Sequence, residues 1–260
     1  LSKKAFNKLE RMAKAKRESM TQWERHWQKS INWKDHIAEL NAVYHSERPF
    51  YAMRRSALPA FTFPLPDIDV KQLRREAQTI IDNPQSRKVD SVPQAGYPEQ
   101  FGLWKRYPIF VPKGYAGDLN ANNFNADNYE YETNFDASLT ELTKLIRMYG
   151  NKKRPIQIET LAPLGHIGLQ TGDWDTNWTL DLIKLPLNWD SEVNLCSDGI
   201  GQIPMQLREL SFWNMRKPYV THNSGKETAI SINFPIKVTN KQTKDKLDAA
   251  VREKISSLLS

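Results

Sequence analysis

Cysteine is nearly absent from this sequence, because Cys196 is the only one among 260 residues. A single thiol excludes an internal disulfide and any cysteine-rich metal site, and it is typical of a protein from a reducing compartment. No apolar run reaches the roughly 18–20 residues that a membrane-spanning helix needs. The first residues lack the charged-then-apolar layout of a secretory signal. We therefore expect a protein that is not secreted and does not bind a membrane.

A charge surplus is also missing from most of the chain. The sequence has 37 Lys and Arg against 30 Asp and Glu, a net charge of +7. Residues 1–60 hold 13 of the basic and 6 of the acidic residues, so the surplus lies there and residues 61–260 are balanced. This asymmetry argues against a nucleic-acid-binding surface spread over the whole protein. It predicts a basic N-terminal arm.

Proline and glycine do not occur in residues 1–48, and apolar side chains recur there at spacings of three and four. The pattern predicts a helical arm over residues 1–47. Three interpretations stay open: a helix packed on its own domain, a docking helix for a protein partner, and contact with a nucleic-acid backbone. The last is the least favoured, because nothing in the segment reads bases. The predicted partner-binding residues are Phe6, Leu9, Met20, Trp23 and Trp27.

The middle of the chain alternates between irregular and helical patterns. Residues 48–66 are rich in proline and aromatic side chains, which predicts an extended connector. Residues 67–82 have the apolar spacing of a helix, with Asp67 or Asp69 as its N-cap. Residues 84–134 contain many Asn, Gly, Pro and Tyr and predict a long irregular loop.

The last half of the chain changes its apolar period. A helix is expected from about Ser138 to Gly150, and then the period becomes two, which is typical of strands. Residues 239–260 return to a helical pattern. Helices, an irregular region, a run of strands and a final helix predict an α+β fold. Its antiparallel strands are expected to form a sandwich or jelly roll.

Three motifs carry a resemblance to a known family. They are "LAPLGHIGLQTGD" from Leu161, "LDLIKLPLNW" from Leu180, and "LSFWNMRKPYVTHNSGKETAISINFPI" from Leu210. In their spacing, residues 60–238 resemble the aspartyl/asparaginyl and prolyl hydroxylase branch of the iron- and 2-oxoglutarate-dependent dioxygenases. The resemblance implies a double-stranded β-helix, or jelly roll, with flanking helices and a domain over residues 67–238. It also implies that the second motif is the strand carrying the substrate and cosubstrate pocket.

At the positions where the family binds iron and cosubstrate, this sequence has other residue types. On the family pattern, the first metal histidine falls on Gln170 and the acidic ligand two residues later on Gly172. The second metal histidine falls on Tyr219, or on Pro218 with a shift of one residue, and the arginine for the cosubstrate carboxylate falls on Ala229 or Thr228. Gln offers only a neutral oxygen, and a tyrosine hydroxyl with a pKa of about 10 is protonated at neutral pH. Neither Ala nor Thr can make the charged grip of arginine on a carboxylate.

Neighbouring residues offer one alternative metal site. It would use His222 with Asp173 or Asp175, and the chain would then be an iron- and 2-oxoglutarate-dependent hydroxylase of a peptide side chain or an amino acid. Strand alternation predicts that His166 shares a face with Gln170, at about 13 Å along the strand, too far to replace it at one metal.

The favoured hypothesis is a non-catalytic protein that keeps the dioxygenase fold without iron or 2-oxoglutarate. It would act as a structural or docking subunit of a larger assembly, with a protein partner on the N-terminal arm. By analogy within the family, a phage virion is one such assembly, which leaves the cytoplasm and a virion as the expected locations.

Overall fold

The computed structural model describes residues 33–83, 89–90, 103–114, 130–149, 156–170, 182–189, 193–197, 201–203, 205–214, 219–233, 238 and 240–260. None of the helices within these ranges is both long and apolar enough to span a membrane.

The helices lie at the two ends of the described chain and between its first strands. They are α1 (Trp33–His45), α2 (Pro49–Arg55), α3 (Val70–Asp82), α4 (Thr140–Tyr149) and α5 (Lys241–Leu259).

The strands occupy most of the rest. They are β1 (Ala60–Pro64), β2 (Val89–Asp90), β3 (Trp104–Pro112), β4 (Tyr131–Thr133), β5 (Ile156–Leu161), β6 (His166–Gln170), β7 (Leu182–Asn188), β8 (Val193–Ser197), β9 (Gly201–Gln202), β10 (Glu209–Trp213), β11 (Tyr219–Asn223) and β12 (Ala229–Asn233).

The strands form two antiparallel sheets. The larger sheet has eight strands in the order β1-β10-β7-β12-β5-β3-β2, with β4 paired to β3. The smaller has four strands in the order β6-β11-β8-β9. From β5 to β8, consecutive strands alternate between the sheets, and β10, β11 and β12 alternate again. The predicted combination of helices with antiparallel sheets is therefore confirmed.

Alternate side chains of the larger sheet enter two separate cores. In β5, Ile156 and Ile158 belong to a core shared with the helices, whereas Leu161 belongs to a second core. That second core also contains Ile167 of β6 and Tyr219 of β11, so it lies between the two sheets. The period of two in these strands thus separates a helix-facing side from an inter-sheet side.

Capping residues fix the starts of two helices that the sequence predicts. Asp69 caps α3, its side chain accepting hydrogen bonds from the backbone N–H groups of Lys71 and Gln72. Asp67 lies two residues earlier, with a positive φ of 62°. Of the two N-caps expected from the sequence, Asp69 is therefore the residue that caps the helix. Asn240 caps α5 through the backbone N–H of Thr243. Both side chains satisfy N–H groups that a first helical turn leaves unbonded.

Residues 48–66, expected as an extended connector, contain α2 and β1. Pro49 is accepted in the first turn of α2 because a proline there removes no helical hydrogen bond. β1 joins the edge of the larger sheet beside β10, with Phe61 opposite Phe212. The expected irregular loop of residues 84–134 contains β2, β3 and β4, and β3 is the longest strand described.

Helix α1 packs on its own domain. It buries Ile37, Leu40 and Val43 and contacts α2 and α5. The guanidinium of Arg252 in α5 donates to the carbonyl oxygen of Ser46 at 2.9 Å, just beyond the end of α1. The residues predicted to bind a partner all precede Trp33 and lie outside the described residues.

A buried carboxylate joins α3 to α4. Glu76 is 3 % exposed and accepts hydrogen bonds from the backbone N–H groups of Glu141 and Leu142, at 3.2 and 2.9 Å. It also accepts from the hydroxyl of Thr140 at 3.3 Å. A side chain from another helix therefore satisfies the first turn of α4, where negative charge is also favoured by the helix dipole.

We expect Glu76→Ala to lower the free energy of unfolding by about 2 kcal/mol, because it leaves buried N–H groups unsatisfied. Glu76→Gln should cost less, since one acceptor oxygen remains. The matched control is Gln78→Ala, an exposed change on the same helix, for which we expect a change within about 0.5 kcal/mol. Urea unfolding of the three variants measures these changes in the free energy of unfolding. Equal losses of stability in Glu76→Ala and Gln78→Ala would contradict the role of Glu76.

Candidate functional site between the two sheets

The two positions that the family resemblance assigns to metal histidines are neighbours in space. Gln170 is the last residue of β6 and Tyr219 the first of β11, and they are directly paired in the smaller sheet. The structure thus brings the predicted first and second metal positions together.

A register shift separates Gln170 from His166. Tyr219 pairs with Gln170 but Thr221 pairs with Ile167, so one residue of β11, Val220, stands against two of β6, Gly168 and Leu169. Such a bulge interrupts strand alternation. His166 pairs instead with His222, whereas Thr221 and Ile167 are buried on the inter-sheet side. The expectation that His166 and Gln170 share a face assumed regular alternation along β6, and a register shift lies between these two residues.

Tyr219 is a core residue. Its side chain is 8 % exposed, and its ring packs edge-on against Trp213 with centroids 5.7 Å apart. Burial raises the pKa of the Tyr219 hydroxyl well above its usual range, and the negative charge of Glu159 raises it further. The hydroxyl therefore stays protonated at neutral pH. A protonated phenol does not replace a neutral imidazole as a ligand of iron.

A buried ion pair spans the inter-sheet face of the larger sheet. The ammonium of Lys184 in β7 lies 3.1 Å from a carboxylate oxygen of Glu159 in β5, and both side chains are less than a tenth exposed, at 6 % and 8 %. Strand β12 runs between them, with Ser231 opposite Glu159. The Lys184 ammonium also lies 5.5 Å from the centre of the Trp189 ring. The charge of Lys184 is therefore compensated within the protein itself.

Further polar side chains continue this row across the sheet. Arg106 of β3 stands opposite Glu159, and its guanidinium lies 5.2 Å from the centre of the Trp104 ring. On the other side, Ser211 of β10 stands opposite Lys184. Arg106, Ser211 and Ser231 are all buried. These polar residues stand at inward-facing strand positions that are usually apolar in a protein core.

A small cavity lies beside this row, within the residues that the structure describes. This cavity, of about 10 Å³, is lined by residues of both sheets, among them Glu159, Lys184, Trp189 and Thr221. That is about the space of one water molecule. The indole N–H of Trp104, which also lines the cavity, makes no hydrogen bond within the protein and is a donor for such a water. A dicarboxylate such as 2-oxoglutarate does not fit in this cavity.

The predicted cosubstrate position is occupied by groups that cannot hold a carboxylate. Ala229 is the first residue of β12 and is 4 % exposed, within the inter-sheet core. Thr228 is exposed, and its carbonyl oxygen accepts a hydrogen bond from the Asn188 amide at 2.9 Å. Neither side chain carries a charge.

The alternative metal site is only partly described. His222 lies in β11, but Asp173, Asp175 and Gly172 lie outside the described residues. Among the residues that the structure does describe, no three His, Cys, Asp or Glu side chains come together as metal ligands.

Sequence reasoning missed Glu159 and Lys184 as the main polar residues of the site. Each is a lone charged residue within a strongly apolar strand, in "IQIETL" and "LIKLPLN". A charged residue at an inward position of an apolar strand is rarely buried without a partner. That signal was available, but their pairing depends on β12 lying between two strands that are distant in sequence.

Raised tyrosine pKa values make stability depend on alkaline pH. Burial raises the pKa of both Tyr219 and Tyr149 above the usual value of 10.0. Each protonated tyrosine therefore contributes its full stabilisation of the folded state below pH 10, the usual pKa of the group in the unfolded chain. This contribution is lost as the pH rises toward the higher pKa of the folded state. We expect the free energy of unfolding to fall above pH 10 by up to about 1.4 kcal/mol per pH unit for each group.

The Tyr149→Phe/Tyr219→Phe double variant should lose less stability than the unaltered protein over the same pH range. Guanidinium unfolding at pH 8, 10 and 11 compares the two slopes. Parallel curves would show that neither hydroxyl has a raised pKa.

No protein-family model and no curated protein matches this chain. Solved structures similar to it include a 2OG-Fe(II) oxygenase family oxidoreductase from Burkholderia pseudomallei, at 11 % identity and a TM-score of 0.45, covering 80 % of this chain and 92 % of that one. A Pseudomonas putida prolyl-4-hydroxylase has 11 % identity, a TM-score of 0.40 and coverages of 77 % and 100 %. The Escherichia coli ribosomal oxygenase YcfD has 11 % identity, a TM-score of 0.34 and coverages of 83 % and 54 %.

Proposed function

We propose that this protein is a non-catalytic member of the double-stranded β-helix class that acts as a docking subunit of a larger assembly. The strand order supports the fold. Four strands of the larger sheet, β10-β7-β12-β5, face the four strands of the smaller sheet, β6-β11-β8-β9, and the chain passes repeatedly from one sheet to the other. A jelly roll has this arrangement of eight strands in two sheets.

The Lys184–Glu159 ion pair is the observation that carries the non-catalytic role. Lys184 lies on β7, the strand that the resemblance assigns to the cosubstrate pocket, and its Nζ is 3.1 Å from a carboxylate oxygen of Glu159 on β5. A cosubstrate carboxylate that bound Lys184 would have to displace Glu159 and separate a buried ion pair, at a cost of several kcal/mol. Tyr219 and Trp213 fill the adjoining space with a ring contact at 5.7 Å.

Calorimetric titration of the full chain with 2-oxoglutarate in the presence of Co²⁺ tests this role. YcfD, whose structure has been solved with cobalt and 2-oxoglutarate, is the positive control. We expect saturable binding for YcfD and none for this protein up to millimolar 2-oxoglutarate. One-to-one binding of 2-oxoglutarate by this protein would contradict the proposal and support the hydroxylase alternative.

The docking part of the proposal concerns the basic arm. Its apolar residues, including Trp23 and Trp27, alternate with basic residues in the region that holds the chain's charge surplus. Helix α1, which follows the arm in sequence, packs against α2 and α5. A helix with a narrow apolar stripe binds a hydrophobic groove of a partner.

A tag on the C-terminus and two matched double variants test the docking part in extracts of the source organism. Trp23→Glu/Trp27→Glu should abolish recovery of a stoichiometric protein partner. Gln22→Glu/Gln28→Glu adds the same charge beside the stripe and should retain the partner. Equal recovery by both variants would contradict docking through the stripe. Loss of recovery with salt in both variants, together with bound nucleic acid, would support the nucleic-acid interpretation.

A further inference from the structure

Two histidines form a cross-strand pair on the smaller sheet. His166 is the first residue of β6 and stands directly opposite His222 of β11. Their ring centroids are 6.1 Å apart, and the ring planes are inclined by 57°. Both side chains are half-buried, so each ring packs partly against the protein and is partly exposed to solvent.

The pair lies on the face of the sheet that points away from the inter-sheet core. The neighbours Ile167 and Thr221, which also pair with each other, are 5 % and 2 % exposed and lie between the sheets. Adjacent residues of a strand project to opposite faces. The histidine pair is therefore on the opposite face of the sheet from Tyr219, which belongs to the inter-sheet core, and its role does not depend on the proposed function.

The spacing of the rings suits a shared metal ion. With metal–nitrogen bonds of about 2.0–2.1 Å, two imidazoles on one tetrahedral ion have ring centres about 5 Å apart. The observed 6.1 Å is within reach of small rotations of the two side chains. Directly opposed residues on two strands need little further ordering, because the sheet already holds their backbones in place.

A hydroxyl group orients one of the rings for this purpose. The hydroxyl oxygen of Ser224 lies 2.9 Å from Nδ1 of His222. When Nδ1–H donates to that oxygen, Nε2 carries the free electron pair and is the nitrogen available to a metal. Metal-binding histidines are commonly oriented in this way by a hydrogen bond at their other nitrogen.

We propose that His166 and His222 bind one divalent transition-metal ion, of the Zn²⁺, Ni²⁺ or Cu²⁺ class, on the outer face of the smaller sheet. Each histidine donates one imidazole nitrogen, and water completes the coordination. Imidazole nitrogen is a preferred ligand of these ions. The ion clamps β6 to β11 and keeps open positions that a carboxylate or imidazole of another molecule can take.

Calorimetric titration with Zn²⁺ in a non-coordinating buffer tests the site on the full chain. We expect one-to-one binding at micromolar concentration, weakened at least tenfold in His166→Ala and in His222→Ala. Ser224→Ala should weaken it by about tenfold, the effect typical of a hydrogen bond that orients a ligand. His45→Ala removes an exposed histidine elsewhere and should leave binding unchanged.

Electron paramagnetic resonance of the Cu²⁺ complex provides a readout of the ligands themselves. Two nitrogen ligands are expected in the unaltered protein and one in each single variant. Binding of Zn²⁺ that is the same in His166→Ala as in the unaltered protein would overturn the proposal, as would absence of binding at millimolar Zn²⁺. Circular dichroism of each variant shows whether the fold is retained.

Discussion

Lys184→Met alone is expected to lower the free energy of unfolding by about 3–5 kcal/mol, because it leaves the Glu159 carboxylate buried and unpaired. The two side chains are only 6 % and 8 % exposed, so solvent cannot take over the role of either partner. Glu159→Leu alone should be similarly destabilising, since it leaves the ammonium without its carboxylate. Chemical denaturation of each variant measures these losses.

The double variant Glu159→Leu/Lys184→Met completes the cycle. Replacing both charges with apolar groups is expected to restore stability to within about 1 kcal/mol of the unaltered protein, since a buried ion pair often does not exceed an apolar pair in net stabilisation. Lys241→Met is the matched control, because Lys241 is 86 % exposed and its pair with Asp245 lies in water; no measurable change is expected there. If the double variant lost as much stability as the two single variants added together, the result would contradict a direct interaction between Glu159 and Lys184.

Phe212→Ala is expected to lower the free energy of unfolding by about 3–5 kcal/mol, the usual range for truncating a buried phenylalanine. Phe212 is fully buried in the core between the larger sheet and the helices. Its ring stacks on Phe63 with centroids 5.5 Å apart and meets Phe50 of α2 edge-on at 5.9 Å. The change therefore removes contacts that join β10 to both β1 and α2.

Phe110→Ala is the matched control for that truncation. Phe110 is half-buried on β3 and packs against Tyr131 at a centroid distance of 5.2 Å. A smaller loss is expected, because solvent fills part of the space that the ring leaves. Similar losses at both positions would contradict the assignment of Phe212 to the fully enclosed core.

Local signals in the sequence predicted the helices well. Asp69 and Asn240 are N-caps whose position next to an apolar helical pattern marks where α3 and α5 begin. Leu247, Val251, Ile255 and Leu258 recur along α5 at the spacing of a helical apolar stripe. The first three are fully buried, whereas Leu258 near the helix end is 37 % exposed. Helix prediction succeeds here because capping and periodicity act within a few residues.

The sheet could be predicted only in outline. β1 lies in a stretch punctuated by proline, and its membership of the larger sheet depends on pairing with β10, about 150 residues later. Nothing local to residues 60–64 specifies that partner. The same holds for β3, whose pairing with β5 has its own register shift between Pro108 and Phe110.

The candidate site shows the same division between local and distant information. The family pattern placed Gln170 and Tyr219 at corresponding positions, and the structure pairs them directly. The bulge beside them was not predictable, because one extra residue in β6 leaves no mark on the apolar pattern. The ion pair of Glu159 and Lys184 was missed because it depends on the order of β5, β12 and β7 in the sheet.

These features give the protein a consistent physical description. A jelly roll that holds iron and a dicarboxylate needs imidazole ligands, a free cation and space between its sheets. In the described part of this chain, Tyr219 is a buried neutral phenol, Lys184 is paired with Glu159, and the adjoining cavity is about 10 Å³. We infer that the same interior now stabilises the fold, and that interaction with other molecules takes place on outer surfaces.

A crystal structure of the full chain, grown with millimolar Co²⁺ and 2-oxoglutarate, tests this account most directly. We predict that Lys184 Nζ stays within hydrogen-bonding distance of Glu159 and that no cosubstrate or metal density lies between the sheets near Tyr219. Metal density at the outer His166–His222 pair would be compatible with this result. Electron density for 2-oxoglutarate beside Lys184, with Glu159 turned away, would contradict the account.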